Sequence, residues 1–357
     1  MEYLVKQIIL ILLCGGVIYI VPLKKNRKDV FFLLVSFISM LYMHSMVSPQ
    51  SMPDLPVYKD VFDSVRILRD WNAILNHWAH EGFGYNMEIG YLYLNWVIGQ
   101  LTSSFTVYLW IYSFVMLYAY FKTIKQYSPY IYVSILILLL MPYGQSLFVI
   151  RQHMAMALLF SSIPFIIERR FISFLLVISF IFFSFHHSCL VFFPLYFLYG
   201  FNGKRLILAL IISMVLIASF WSFLSLISLY LNYETFAMES SSELSNVTTF
   251  IQMLLFLILY VCALGKKVLE NGINKVCLCA LILSVFLNGM SMGLNLGRLT
   301  MYYNIFAILS IPLSLTYIRK IQFRYMIGFC VIILLIIQTV YGSNSQYFED
   351  MQFVSLF

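Results

Sequence analysis

The sequence predicts an all-α protein, a polytopic bundle of about twelve transmembrane helices. Three observations predict it. The 357 residues are 62% hydrophobic and only 10% charged, more apolar surface than a soluble core can hide. The apolar residues fall in long runs of Leu, Ile, Phe and Val, the pattern of lipid-facing helices rather than barrel strands. The basic residues gather in every second connecting loop, as membrane insertion requires.

In chain order, residues 7–22 form a first span. No small-x-small cleavage site follows it, so it reads as a retained helix and not a leader. The basic cluster 24–29 precedes a second span over 30–48. A polar and aromatic stretch follows, part of an outer-face loop region over 49–103. Residues 58–80 fit a helix lying on the membrane surface. Residues 88–101 are apolar but short for a crossing, so they read as a re-entrant or interfacial segment. Spans then run over 104–121, 130–148 and 152–167. Two short spans, 171–185 and 188–200, meet at His186 and His187. The rest are 206–230, 247–264, 276–292, 299–317 and 325–341. With no repeat or linker, residues 1–357 form a single polytopic membrane domain.

The charges set the topology. If the loop at 24–29 is cytoplasmic and 88–101 does not cross, sixteen of the 22 Lys and Arg lie inside. The outer six are Lys6, Lys59, Arg66, Arg69, Arg151 and Arg298, and of the 15 acids only Asp29, Glu168 and Glu270 lie inside. A full crossing by 88–101 would invert the later loops and abolish this bias. The net charge of +7 is therefore a topology signal, which excludes a nucleic-acid surface. All six cysteines lie in apolar runs and read as small hydrophobes.

The unusual polar residues then share the outer face. A guanidinium at membrane depth is costly without an anionic partner. Arg151 opens an inward-running helix in LFVIRQHMAM (147–156), followed by Gln152 and His153. Arg298 does the same after the turn GLNLGR (293–298). Each guanidinium coincides with the positive end of a helix dipole and its free N–H groups, a pair suited to a pyrophosphate. A neighbouring carboxylate or headgroup would satisfy either arginine equally well. Gly293 and Gly297 let a ligand approach the backbone, or form an ordinary interhelical turn. His186 and His187 lie at an outward junction, as base candidates or interfacial anchors. Glu88 is a candidate base or a helix-start carboxylate. Asn95 is a candidate glycan contact or a helix–helix hydrogen bonder. Trp78, like Trp71, Trp96 and Trp110, can stack on a sugar or sit in an aromatic belt.

RQHMAMAL (151–158), with FHHSCLVFFPLY (185–196) about thirty residues on, resembles the EpsG family of Wzy-type capsular and exopolysaccharide polymerases. EIGYLYLN (88–95) is similar to that family's Glu-x-Gly-Tyr segment. The pattern FHxS places the family histidine at His186 and a variable residue at His187. The likeness covers about 85–200 well and the rest by span count; nothing in it matches 50–85.

The resemblance implies a metal-independent glycosyltransferase on the outer face of the bacterial cytoplasmic membrane. It would move a growing glycan from polyprenyl pyrophosphate onto a new lipid-linked repeat unit. Arg151 would stabilise the leaving group, with His186 or Glu88 as general base. Gln152, Arg298, Asn95, His187 and Trp78 would bind the pyrophosphate or glycan. No cofactor is implied. The expected partners are the lipid-linked glycan, membrane lipids, a flippase and a chain-length regulator. Two other classes fit such a chain: a flippase of the same lipid, with charges spread through the midplane, and an acyltransferase, with a cytoplasmic donor site.

Overall fold

Where an apolar run is uninterrupted the chain forms one long helix. Breaks fall at a capping polar residue or at a proline such as Pro142, while Pro312 is carried inside a helix. The structure, a computed structural model, describes residues 2–22, 24–68, 70–80, 87–230, 243–269, 272–292, 296–341 and 351–354.

The first two apolar runs form α1 (Glu2–Ile20) and α2 (Lys25–Met46). The surface helix expected over 58–80 is instead two helices, α3 (Leu55–Arg66) and α4 (Trp71–His80). The Asp70 carboxylate accepts the Ala73 N–H at 2.7 Å, an N-cap that starts a new helix where the first has ended. Next come α5 (Ile89–Leu101) and α6 (Phe105–Tyr127). At 13 residues α5 is about 20 Å long, short of a hydrocarbon core. It packs against α3, whose Leu55, Tyr58, Val61, Phe62 and Val65 form the buried stripe. A Cβ on Gly99 would come within 2.5 Å of Arg66 Cβ, so this crossing needs glycine.

Beyond α6, α7 (Ile131–Leu138) continues through a wide π-turn over Leu139–Tyr143 into the short α8 (Gly144–Ser146). Pro142 lies inside that turn, and its missing N–H breaks the regular ladder. Then follow α9 (Ile150–Ser161), α10 (Ile163–Ile167) and α11 (Phe171–Ser184). A 3₁₀ turn over His187–Phe192 leads to α12 (Pro194–Tyr199), with proline in its first turn. The chain closes with α13 (Gly203–Tyr230), α14 (Glu243–Leu264), α15 (Gly272–Met290), α16 (Gly297–Asn304), α17 (Ala307–Tyr317) and α18 (Ile321–Tyr341).

The result is an all-α membrane bundle. Its outer wall shows apolar side chains such as Leu13, Leu216 and Phe329, a surface suited to lipid. Six helices among the described residues are long and apolar enough to cross a membrane: α1, α2, α6, α14, α15 and α18. The number is seven if α16 and α17, bent by 40° at Ile305–Phe306, make one crossing. The segments Ile131–Ser146, Phe171–Ser184 and His187–Tyr199 are apolar but shorter. The expectation of about twelve spans counts these, together with 152–167 and 206–230.

Contacts between loops sort the bundle into two ends. At one end Lys25 Nζ donates to the Pro129 carbonyl, Arg324 to the Tyr130 hydroxyl, and Lys275 to Asn202. At the other, residues 46–48 pair antiparallel with 352–354, and Asn246 donates to the Ser291 carbonyl.

Candidate functional site

Arg151 is the second residue of α9, whose N-cap is Val149. Glu88 is the N-cap residue of α5 and is buried, 7% exposed. The two form an ion pair and hydrogen bond, Arg151 Nη1 to Glu88 Oε2, across 63 residues of sequence. Glu88 is thus the anionic partner that a membrane-edge guanidinium requires. The guanidinium carbon also lies 5.6 Å from the Tyr58 ring centroid and 5.7 Å from that of Tyr91, within cation–π range of both.

This explains the segment Glu-Ile-Gly-Tyr at 88–91. Glu88 supplies charge at the helix start. Tyr91, three residues on, lies about one turn away on the same helix face. Gly90 permits contact with the end of α11: a Cβ there would lie 2.4 Å from Ser184 Oγ and 2.6 Å from Ser184 Cα. Ser184 stands two residues before His186, so this approach brings the histidine junction beside Glu88. His187 Nδ1 lies 3.9 Å from Glu88 Oε1, and its side chain is 63% exposed. Asn95 is fully buried one turn deeper in α5, and its amide donates to the Tyr91 carbonyl at 2.7 Å. That bond is within its own helix, and the side chain also interacts with the Tyr108 hydroxyl of α6. The side chain of Trp78 lies outside the described residues.

The second arginine arrives from the far end of the chain. Arg298 is also the second residue of its helix, α16, with N-cap Leu296. Gln152 Nε2 donates to the Arg298 carbonyl and lies 3.8 Å from Met301 Sδ, tying the two helix starts together across 146 residues of sequence. The charges of both Arg151 and Arg298 act on His186 and on the Tyr58 hydroxyl. Burial, then these two guanidinium groups and His187, push His186 down to about 3. Burial raises the Tyr58 hydroxyl, and Arg151 and Arg298 oppose the rise.

The His186 ring has partners of its own. Its Nδ1 accepts the Ser188 N–H at 3.2 Å and lies 2.6 Å from Ser188 Oγ. Ser188 Oγ is in turn 2.9 Å from the Tyr302 hydroxyl. Arg151, Gln152, Arg298, Glu88, His186 and His187 therefore form one polar cluster at one end of the bundle. Residues 30–352 match the EpsG family. The chain belongs to the EpsG family. EpsG-family proteins are membrane proteins of polysaccharide biosynthesis, which gives this chain a role in exopolysaccharide biosynthesis. No curated protein and no solved structure matches it.

Within this EpsG-family site, Tyr58, Tyr91, Ser188, Met301 and Tyr302 escaped the sequence reading. Tyr91 and Ser188 lie inside the quoted motifs, which was the available signal. Tyr58 and Tyr302 are two among 26 tyrosines and carry none. A Cβ on Gly297 would meet nothing within 4 Å, so the space beside its backbone is open. Gly293 lies outside the described residues.

Proposed function

We propose that the protein is a glycosyltransferase that polymerises polyprenyl-pyrophosphate-linked oligosaccharide repeat units. The observation that carries this reading is the meeting of two helix N-termini, each bearing an arginine, beside a buried carboxylate and a histidine. Helix N-termini attract anions and arginines bind phosphate bidentately, so the cluster suits a pyrophosphate.

The acceptor hydroxyl oxygen of a new repeat unit attacks the anomeric carbon of the growing glycan. A glycosidic C–O bond forms, the C–O bond to pyrophosphate breaks, and the pyrophosphate leaves with the electron pair. Arg151 and Arg298 stabilise the charge on it. The hydroxyl proton passes to Glu88. The ion pair couples these roles. A pyrophosphate that draws Arg151 away frees the Glu88 carboxylate to accept a proton. The arginines supply the charge stabilisation without a metal. Gln152 and His187 flank the glycan path.

The basic loops define the cytoplasmic side under the positive-inside rule, with about twelve crossings. The site then lies on the outer face of the bacterial cytoplasmic membrane, where a flippase would deliver the substrate and a chain-length regulator would act on the product. Purified protein given lipid-linked repeat units should yield a ladder of polymers. Unchanged repeat units, at equal folding, would overturn the reading.

A further inference from the structure

The orientation of the His186 ring bears on what this residue can do. The chain leaves α11 at Ser184, and His186 becomes the N-cap of the following 3₁₀ turn, its Nδ1 accepting the Ser188 backbone N–H. A ring nitrogen that accepts a backbone N–H cannot carry a proton of its own, because two N–H groups would face each other. The 2.6 Å contact between Ser188 Oγ and Nδ1 is therefore a hydroxyl donating to the ring. With its proton so committed, Ser188 Oγ accepts at its other contact, from the Tyr302 hydroxyl at 2.9 Å. Tyr302 is fully buried in α16, four residues after Arg298. The donors thus run one way, Tyr302 to Ser188 to His186. A neutral imidazole with an accepting Nδ1 carries its single proton on Nε2. The charges of Arg151 and Arg298 act on the ring and oppose a second proton.

We infer that His186 is a neutral hydrogen-bond donor through Nε2–H and not the general base, with Ser188 and Tyr302 as positioning residues that set its tautomer. Resting on the polymerase reading, its target is an oxygen of the departing pyrophosphate, between the two arginines. The acceptor proton is then left to Glu88. Because Tyr302 and Arg298 share the eight-residue α16, one short helix sets both the histidine tautomer and the second guanidinium.

Two measurements test this. The first compares substitutions in the polymerisation assay with the full-length protein. His186→Gln puts an amide N–H near the place of Nε2, whereas His186→Asn puts one near Nδ1 and leaves the Nε2 place empty. A donor role predicts that the Gln variant keeps turnover within roughly tenfold of the parent, while Asn and Ala variants lose about tenfold more, the range of one charge-assisted hydrogen bond. A base role predicts equal loss in all three, since an amide takes up no proton. Equal loss overturns the inference. The second is ¹⁵N NMR of histidine-labelled protein in lipid, with His186→Ala identifying the signal. The expected state is protonated Nε2 and bare Nδ1. Ser188→Ala and Tyr302→Phe should shift that signal toward a mixture. A protonated Nδ1 in the parent overturns the inference, whatever the assay shows. A parent that makes no polymer overturns the polymerase reading and leaves the NMR result to judge the tautomer alone.

Discussion

The two ends of the bundle give their cations different partners. At the basic end four of them donate to carbonyls at or just beyond helix C-termini. Lys28 donates to the Tyr19 carbonyl in the last turn of α1, and Lys25 to Pro129 just beyond α6. Arg169 donates to Tyr196 in the last turn of α12, and Arg324 to Ile318 at the end of α17. There the helix dipole favours a positive charge. At the other end Arg151 and Arg298 each occupy the second position of a helix, where the dipole opposes it. Lys25 and Lys28 themselves stand in the first turn of α2, so the two ends differ in their partners, backbone carbonyls at one and a buried carboxylate at the other. A guanidinium at a helix start is stabilised when an anion joins it. Glu88 does this for Arg151 within the protein, and a pyrophosphate would do it for both.

The largest effect is expected from Arg151→Ala. It strands a buried carboxylate, and loss of one partner of a buried pair costs ~3–5 kcal/mol. Polymer should disappear and thermal stability in detergent should fall. Glu88→Gln added to that variant should recover stability but not polymer. Recovered polymer would make the pair structural. Arg151→Lys should retain stability yet lose polymer, because the ammonium lacks the planar fork.

Arg298→Ala comes next. Loss of a charge-assisted phosphate contact costs ~1.5–3 kcal/mol, so turnover should fall roughly ten- to a hundredfold. A change within a few-fold would make Arg298 a headgroup anchor. His187→Ala should be milder, less than about fivefold, since an exposed polar contact contributes roughly 1 kcal/mol or less. An effect larger than that of His186→Ala would reverse the assignment of the two histidines.

The basic end should respond least. Lys25→Ala or Arg324→Ala should cost about 1 kcal/mol or less in stability, the range of one exposed or half-buried polar contact, and leave turnover unchanged. Cysteines placed at Lys204 or Lys266 should resist an impermeant thiol reagent in intact cells. Labelling there would exchange the inner and outer ends.

The helices themselves were legible, because an apolar run bounded by charge has few alternatives. Their interruptions were less so. The break before Asp70 and the π-turn at Leu139–Tyr143 arise from a cap and a proline, neither of which alters hydropathy, and the bend at Ile305–Phe306 lies within an unbroken apolar run. Arg151, Arg298, Glu88 and His186 stood out because polar groups at membrane depth need partners. Their pairing did not, since Glu88 and Arg151 meet across 63 residues and Gln152 and Arg298 across 146. The hydroxyl chain from Tyr302 to His186 depends on ring orientation, which residue spacing does not encode.

The pairing of residues 46–48 with 352–354 has a consequence for how the chain is threaded. Tyr3, near the start of α1, packs edge-on against Phe353 with ring centroids 4.6 Å apart. Two residues in contact at one end of a membrane bundle lie on the same side of the bilayer, and a path that returns to its starting side crosses an even number of times. Parity therefore constrains the crossings between Tyr3 and Phe353, however the short helices are apportioned. If the bent pair of α16 and α17 makes a seventh crossing, α13 or one of the shorter apolar segments must make another.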